Sequence, residues 1–509
     1  MGDWNSGYVT DIGYTYGSYR ELTPAILSFA ALVAGLAAPD PNEQLAYCEL
    51  GCGQGYSANI AAAGNPHIEV YANDFNPSHI LGARSLAAAA GRGNVHFRDN
   101  SFAECVAETG LPAFDIIALH GIYSWISTEN RQHIVEFIRT RLKPGGLVYI
   151  SYNTLPGWSA AMPLRRLMAD YAGRIPGSTG ARVDQALTYT QRLVDANPAY
   201  FRAHPGLAEQ FQAIKGQNKS YLAHEYFNRD WTPFHHSEVV AEMSDAKLTY
   251  AGSAHLLDRL DVANFTQEQQ DLLNTATSST ERETLRDFIL NQRFRRDIFV
   301  KGLVPLSSGE ERERWKKMRF VLTSLRADVP LTVPGALGDA TLQPEFYDPL
   351  LDALAGGPRT LEQMMADPKV AAIGWGRLEQ ALMVLVGSGH LQPALDEAGD
   401  AERAVATRSF NLAVLNKARS SEDLQFLASP ISGGAIHLGR ISQLFLLARI
   451  EAQADAPAYV WDILTNAGVR LTRQDEPIET AEENMEELRS LLVIFNEKQL
   501  PLLQSVGIA

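Results

Sequence analysis

The chain has 509 residues, room for about three domains at ~150 residues each, and its 46% hydrophobic and 20% charged content is ordinary globular usage that excludes a disordered or collagen-like chain. A net charge of −15 repels a phosphate backbone, which argues against nucleic acid as the partner. Cys48, Cys52 and Cys105 are too few for a disulfide framework at this length and point to a reducing, cytoplasmic setting.

Along the chain, Met1 to Ser6 formally fits a myristoylation pattern, but such loosely specified positions often match by chance. The apolar run Ala25 to Ala38 is shorter than the ~20 residues of a membrane span and reads as a buried helix. From Leu45 short apolar runs alternate with helical stretches. Strands are predicted at Leu45 to Leu50, Ile68 to Asp74, Val95 to Phe97, Phe114 to His120 and Leu147 to Tyr152. Helices are predicted at Tyr56 to Ala63, Ser78 to Ala90 and Asn130 to Leu142, with a turn at Lys143 to Gly146. This alternation predicts an α/β fold, a Rossmann-like parallel sheet with helices on both faces.

Residues 160–235 read as a helical insertion over the top of that sheet. A helix at Ser237 to Ala246 and strands at Lys247 to Ser253 and Phe294 to Val300 are then expected to complete it. The glycines and prolines of 330–349 mark a linker, and 346–395 resembles a small winged-helix unit with few basic residues, a scaffold rather than a DNA reader. Residues 451–500 hold 11 acidic and 4 basic side chains, a solvated helical face. The expected division is an aromatic N-terminal segment 1–44, a core in two parts 45–159 and 236–305 around the cap 160–235, a helix and linker 306–345, the winged-helix-like module 346–395, and a mainly helical module 396–509. The cofactor motifs below are complete before the C-terminal modules begin, so those modules are expected to frame the acceptor.

The strongest motif is Glu49-Leu50-Gly51-Cys52-Gly53-Gln54-Gly55, at the end of the first strand and just before a helix. Glycines there let the backbone approach a ligand, and the helix N-terminus offers free N–H groups. A dinucleotide site would want a small residue where Tyr56 stands. Asp74 ends the second strand at the distance expected of an acid that accepts from both ribose hydroxyls, with Asn76 beside it. Asn100, Ser101 and the Phe102 amide follow the third strand as candidates for the adenine. Cys48 and Cys52 lack partners at metal-ligand spacing, so no metal is expected. Near the ends of the fourth and fifth strands lie FDIIALHGIYSWI (114–126) and SYNTLPGW (151–158), and an aromatic cluster of Tyr14, Tyr16 and Tyr19 precedes the sheet.

The spacing Glu-x-Gly-x-Gly-x-Gly resembles the first motif of class I S-adenosylmethionine-dependent methyltransferases. Together, ELGCG, HGIYSW, YNTLPGW, YLAHEYFN (221–228) and LASPISGG (427–434) resemble the bacterial branch that carries a methyltransferase regulatory region and includes the rickettsial protein lysine methyltransferases. The resemblance implies S-adenosylmethionine as cofactor and S-adenosylhomocysteine as product, held by Tyr19, Glu49, Gly51, Cys52, Gly53, Gly55, Asp74, Asn76, Asn100, Ser101, Phe102 and His120. It implies a protein lysine as acceptor, with Tyr123, Trp125 and Trp158 lining its channel and Tyr16 or His120 taking up the proton. His224 and Glu225 in the cap read either as a structural hydrogen-bond pair that holds the cap or as groups that orient the acceptor or relay its proton. A small-molecule O- or N-methyltransferase, or a cofactor-binding regulatory protein without catalysis, is the alternative. An oxidoreductase is disfavoured by Tyr56. DNA methylation is disfavoured because no Asn/Asp-Pro-Pro-aromatic segment follows the fourth strand. The oligomeric state, a homodimer included, is left open.

Overall fold

The computed structural model describes residues 13, 15–473 and 476–509. The expected myristoylation pattern and Tyr14 lie outside them. A central sheet contains β1 (Ala46–Leu50), β2 (Glu69–Asn73), β3 (Val95–Arg98), β4 (Phe114–Leu119), β5 (Leu142–Asn153), β6 (Leu248–Ser253) and β7 (Phe294–Lys301), in the order β3-β2-β1-β4-β5-β7-β6. β1 to β5 pair in parallel, whereas β7 runs antiparallel to both β5 and β6. The order reverses direction between β1 and β4, so the loops leaving these neighbours diverge and open a crevice at their C-terminal ends.

Strand periodicity explains why this sheet is buried on both faces. Tyr47 faces one core with Val70, Ile116 and Tyr149, while Cys48 and Leu50 face the other with Ile117, Val148 and Ile150. The helix expected at Ala25 to Ala38 is Pro24–Val33, and it joins the first core, with Phe29 edge-on to Trp315 at 5.3 Å. No helix among the described residues is long and apolar enough to cross a membrane. The turn expected at Lys143 to Gly146 lies inside β5 as an irregularity: Phe114 pairs with Leu142 but Ile116 pairs with Leu147.

The insertion builds its own core from Leu164, Met168, Val183, Phe211 and Leu222. On leaving it, the chain is stitched to the sheet: Thr232 N–H donates to Ser124 O at 2.8 Å, and Phe234 N–H to Asn153 O at 2.9 Å. Beneath that seam a largely buried polar network locks β7 to its surroundings. Asp297 accepts from Tyr152 Oη (2.5 Å) and Arg295 Nε (3.0 Å), and His236 Nδ1 lies 3.2 Å away. Arg295 also donates to Asp287 (2.6 Å) and Glu283 (2.7 Å), and its guanidinium holds the Asp297 carboxyl well below the usual range despite burial. Removing one member of so dry a network costs about 3–5 kcal/mol, because its partner is left charged and unpaired.

Beyond β7, strand β8 (Arg319–Leu322) is the middle of a three-stranded sheet flanked by Arg359–Thr360 and Leu391–Ala394. The unit expected to begin near Phe346 thus takes its central strand from before the Pro330 to Pro349 segment, which buries Val333 and Leu342 in the main core and ends in the helix Pro344–Leu354. The C-terminal helices Asp400–Lys417, Arg440–Ile450, Ala456–Asn466 and Ala481–Ile494 share a core that also contains Tyr56 and Ile60, from the helix that follows the glycine loop. The cofactor motif is therefore complete in sequence but not in packing, because one face of its helix is buried by residues more than 300 positions away.

Candidate functional site

A cavity of about 460 Å³ opens at the C-terminal ends of β1 and β4, within the range of small-molecule sites. Its floor is the glycine loop. Gly51 (φ +71°) and Gly55 (φ +66°) hold left-handed conformations that other residues adopt only with strain. A Cβ on Gly51 would sit 2.5 Å from Ile122 Cδ1, so the chain needs glycine there to pass beneath the β4 loop. A Cβ on Gly55 would sit 2.5 Å from Ala83 Cβ. Gly55 does not line the cavity, and its expected role as a cofactor contact is replaced by close packing of helix on helix.

Asp74, which is buried, is fixed from three sides. Its Oδ2 accepts from Gly53 N–H (3.0 Å) and its Oδ1 from Asn76 N–H (2.9 Å), with His79 Nδ1 at 3.2 Å. It lines the cavity and a carboxylate has further acceptor positions, so it can still receive hydroxyl hydrogens. Asn76, expected as a cofactor contact, instead caps the helix Pro77–Ala89 by accepting from Ser78 N–H and does not reach the cavity. His79 was not foreseen: it lines the cavity and its Nε2 has no partner among the described residues. Only the strand-to-helix turn, which sets it beside Asp74, could have pointed to it.

Glu49 is buried next to Asp74 and its Oε2 has no hydrogen-bond partner among the described residues. Burial, and secondarily the Asp74 charge, push its carboxyl up from 4.5 to about 8. Cys52, Asn100, Ser101 and Phe102 line the same cavity. Burial raises the Cys52 thiol well above its ordinary value, so it offers backbone and bulk rather than a thiolate. Ser101 caps the next helix, Phe102–Ala107, in a reciprocal pair with Glu104, which fixes the start of that helix at the cavity wall.

On the β4 side, the His120 ring stacks on Tyr19 (3.7 Å between centroids) and its Nδ1 is hydrogen-bonded to Tyr149 Oη at 2.7 Å. Burial, aided by the Arg296 charge, depresses its pKa to about 3. His120 is therefore a neutral wall of the cavity, and the expectation that it takes up a proton near neutral pH fails on that account.

The far end of the cavity is aromatic. Trp125 and Trp158 line it with Tyr221 and Tyr226 from the cap, together with Glu225, Asp230 and Arg293. Gly157 makes this possible: its Cβ would meet Gln292 O at 2.3 Å, so only glycine lets Trp158 lie against the turn before β7. There Trp158 Nε1 donates to Arg293 O (2.9 Å) while the Arg293 guanidinium covers the ring at 4.5 Å. Trp231 stands edge-on to Trp158 at 5.0 Å, and Arg165 covers Trp231 at 4.6 Å, tying cap to sheet. Arg293 and Asp230 were not singled out from the sequence, where nothing marks them, and Tyr221 stood there only as the first residue of YLAHEYFN.

Three further expected residues lie outside the cavity. Tyr123 is fully buried and donates its hydroxyl to Glu242, away from the opening. His224 is buried within the cap, where its carbonyl accepts from Asn228. Tyr16 stands edge-on to Tyr56 at 6.4 Å on the side of the C-terminal module. Among the described residues no group of three or more His, Cys, Asp or Glu side chains is arranged to hold a metal ion.

Residues 41–191 match the family model described as a methyltransferase domain, and residues 218–301 the one described as a predicted methyltransferase regulatory domain. An uncharacterized protein of Synechocystis sp. is 44% identical over 506 residues, covering 99% of this chain and 100% of that one. An uncharacterized protein of Rickettsia prowazekii is 25% identical over 324 residues, 61% of this chain and 56% of that one. The solved structure of PKMT2 from Rickettsia typhi in complex with AdoHcy shares the fold, with TM-score 0.70, 17% identity, and coverage of 97% of this chain and 100% of that one.

Proposed function

The chain belongs to the class I methyltransferases that carry a methyltransferase regulatory domain, and on that premise we propose that it methylates lysine side chains of a protein acceptor. S-adenosylmethionine is the methyl donor, and the residues present fit it. The unpartnered Glu49 oxygen suits the ammonium of its methionine part, Asp74 suits ribose hydroxyls, and Asn100, Ser101 and Phe102 line the cavity with polar groups that suit an adenine. When bound, the donor supplies an electrophilic methyl carbon: the acceptor's lone pair forms the new C–N bond as the C–S electrons return to sulfur.

The protein's own part is positioning and dehydration. An acceptor lysine, ordinarily near ~10.4, must reach the methyl group neutral. Enclosure by Trp125, Trp158 and Tyr226 disfavours its charged form, and Arg293, the cation among the described lining residues, repels it. Glu225 and Asp230 line the same end, near the exposed Tyr221, and attract an ammonium as it enters.

The single observation that carries the reading is this aromatic end with carboxylates at its solvent side, which suits a long alkyl chain ending in an amine. Incubation of a host lysate with enzyme and labelled donor, followed by peptide mapping by mass spectrometry, tests it. Label on lysine is the expected result. Label confined to hydroxyls, carboxylates or small metabolites overturns the lysine acceptor and leaves the methyltransferase assignment standing.

A further inference from the structure

Tyr56 immediately follows the glycine loop, at the position where a dinucleotide site takes a small residue. Its backbone opens the helix Tyr56–Gly64, and it borders the cofactor cavity, but its side chain leaves the methyltransferase sheet altogether. The ring is 1% exposed, packed near Phe410 (6.4 Å) and Phe426 (6.3 Å) of the C-terminal module. The phenol donates to Phe426 O and accepts from Phe426 N–H at 2.9 Å, satisfying both backbone groups of one residue.

The other end of the same helix is held by the same C-terminal stretch. Asn65 Nδ2 donates to Gly433 O at 2.9 Å, and a Cβ on Gly64 would lie 2.6 Å from that oxygen. Residues 426–434, which include LASPISGG, thus grip the glycine-loop helix at its first turn and at its last. The two grips differ in what they border: Tyr56 lines the cavity, whereas Asn65 does not.

The first grip has consequences for the ligand. Gly53, whose N–H holds Asp74 Oδ2, lies three residues before Tyr56, and the intervening Gly55 has no room for a Cβ and so no slack against Ala83. Tilting the first turn of the helix displaces the loop and the carboxylate it aligns.

We infer that Tyr56 is a positioning residue through which the C-terminal module sets the glycine loop, so that cofactor binding and the order of residues 426–434 are thermodynamically coupled. The coupling is reciprocal: a ligand that needs the loop in its bound geometry tightens residues 426–434, and loss of the Tyr56 grip weakens the ligand. This does not depend on which acceptor is methylated. It also implies that a chain ending near Pro330 loses affinity for the cofactor even if its sheet stays folded.

The test uses the full chain and S-adenosylhomocysteine. Hydrogen exchange in the wild type should slow at residues 426–434 when the ligand is added. Tyr56→Phe, which keeps the ring and loses only the hydroxyl, should weaken ligand binding by about fivefold to tenfold and abolish that ligand-dependent protection. Asn65→Ala loosens the same contact at the end away from the cavity and should lower thermal stability while leaving the dissociation constant within about twofold. Exchange at 426–434 that ignores the ligand in the wild type overturns the coupling. So does wild-type affinity in Tyr56→Phe, or an equal loss of affinity in Asn65→Ala, which would mean general loosening instead of positioning.

Discussion

Replacing Glu49 by glutamine tests the electrostatics of the cofactor cavity, because the buried carboxyl is pushed from 4.5 up to about 8 by burial and by Asp74. At one unit per ~1.4 kcal/mol, that displacement means the ionised form is disfavoured by roughly 5 kcal/mol in the cofactor-free protein. At pH 7 the group is then about 90% protonated, and a ligand ammonium that requires the carboxylate expels about 0.9 proton on binding, falling to about 0.5 at pH 8. Wild-type affinity for S-adenosylhomocysteine should accordingly rise about tenfold between pH 6 and pH 7. Glutamine keeps the shape but has no proton to expel, so the release and the pH slope should both vanish. The sign for stability is opposite. Between 4.5 and about 8 the folded protein holds a proton that the unfolded chain gives up, so cofactor-free stability falls as pH rises through that window, and Glu49→Gln removes the fall. Titration calorimetry in buffers of different ionisation enthalpy reads the proton count directly. Equal apparent enthalpies for the wild type at pH 7, or equal proton counts in the two proteins, would refute the reasoning.

Three other outcomes follow from the same geometry. Asp74→Asn removes the charged acceptor shared by the Gly53 and Asn76 amides and should weaken cofactor binding by about 1.5–3 kcal/mol, with a change under twofold assigning the ribose elsewhere. Gly55→Ala forces a Cβ to within 2.5 Å of Ala83 Cβ in a left-handed conformation, and thermal denaturation should show a loss of about 2–4 kcal/mol; an unchanged midpoint would contradict the packing. Arg293→Met removes the cation beside Trp158, so a lysine acceptor keeps its proton more easily and the apparent pKa of the pH–rate profile should rise by about one unit, while an unmoved profile removes Arg293 from the chemistry.

Much of the core was legible without coordinates. Short apolar runs between turn signals mark strands buried on both faces, and the spacing from Glu49 to Gly55, with Asp74 one strand later, carries cofactor chemistry because it is written in adjacent residues at one sheet edge. Local signals do not say where a side chain points. Tyr123 and Trp125 are two residues apart in one short turn, yet one turns away from the cavity to donate to the half-buried Glu242 and the other lines the cavity. Tyr16 and Tyr19 part in the same way, toward Tyr56 and toward His120. Nor could the sequence reveal that burial works against charge on both His120 and Glu49, lowering the pKa of the one and raising that of the other, since the burial is built by distant segments. The glycine loop is determined by its own residues, but its helix is clamped by Phe426 and Gly433, and Arg293 reaches the acceptor end only because Gly157 lets two remote turns touch. What short-range spacing encodes could be read from the chain, and what long-range packing creates was decided by the tertiary structure.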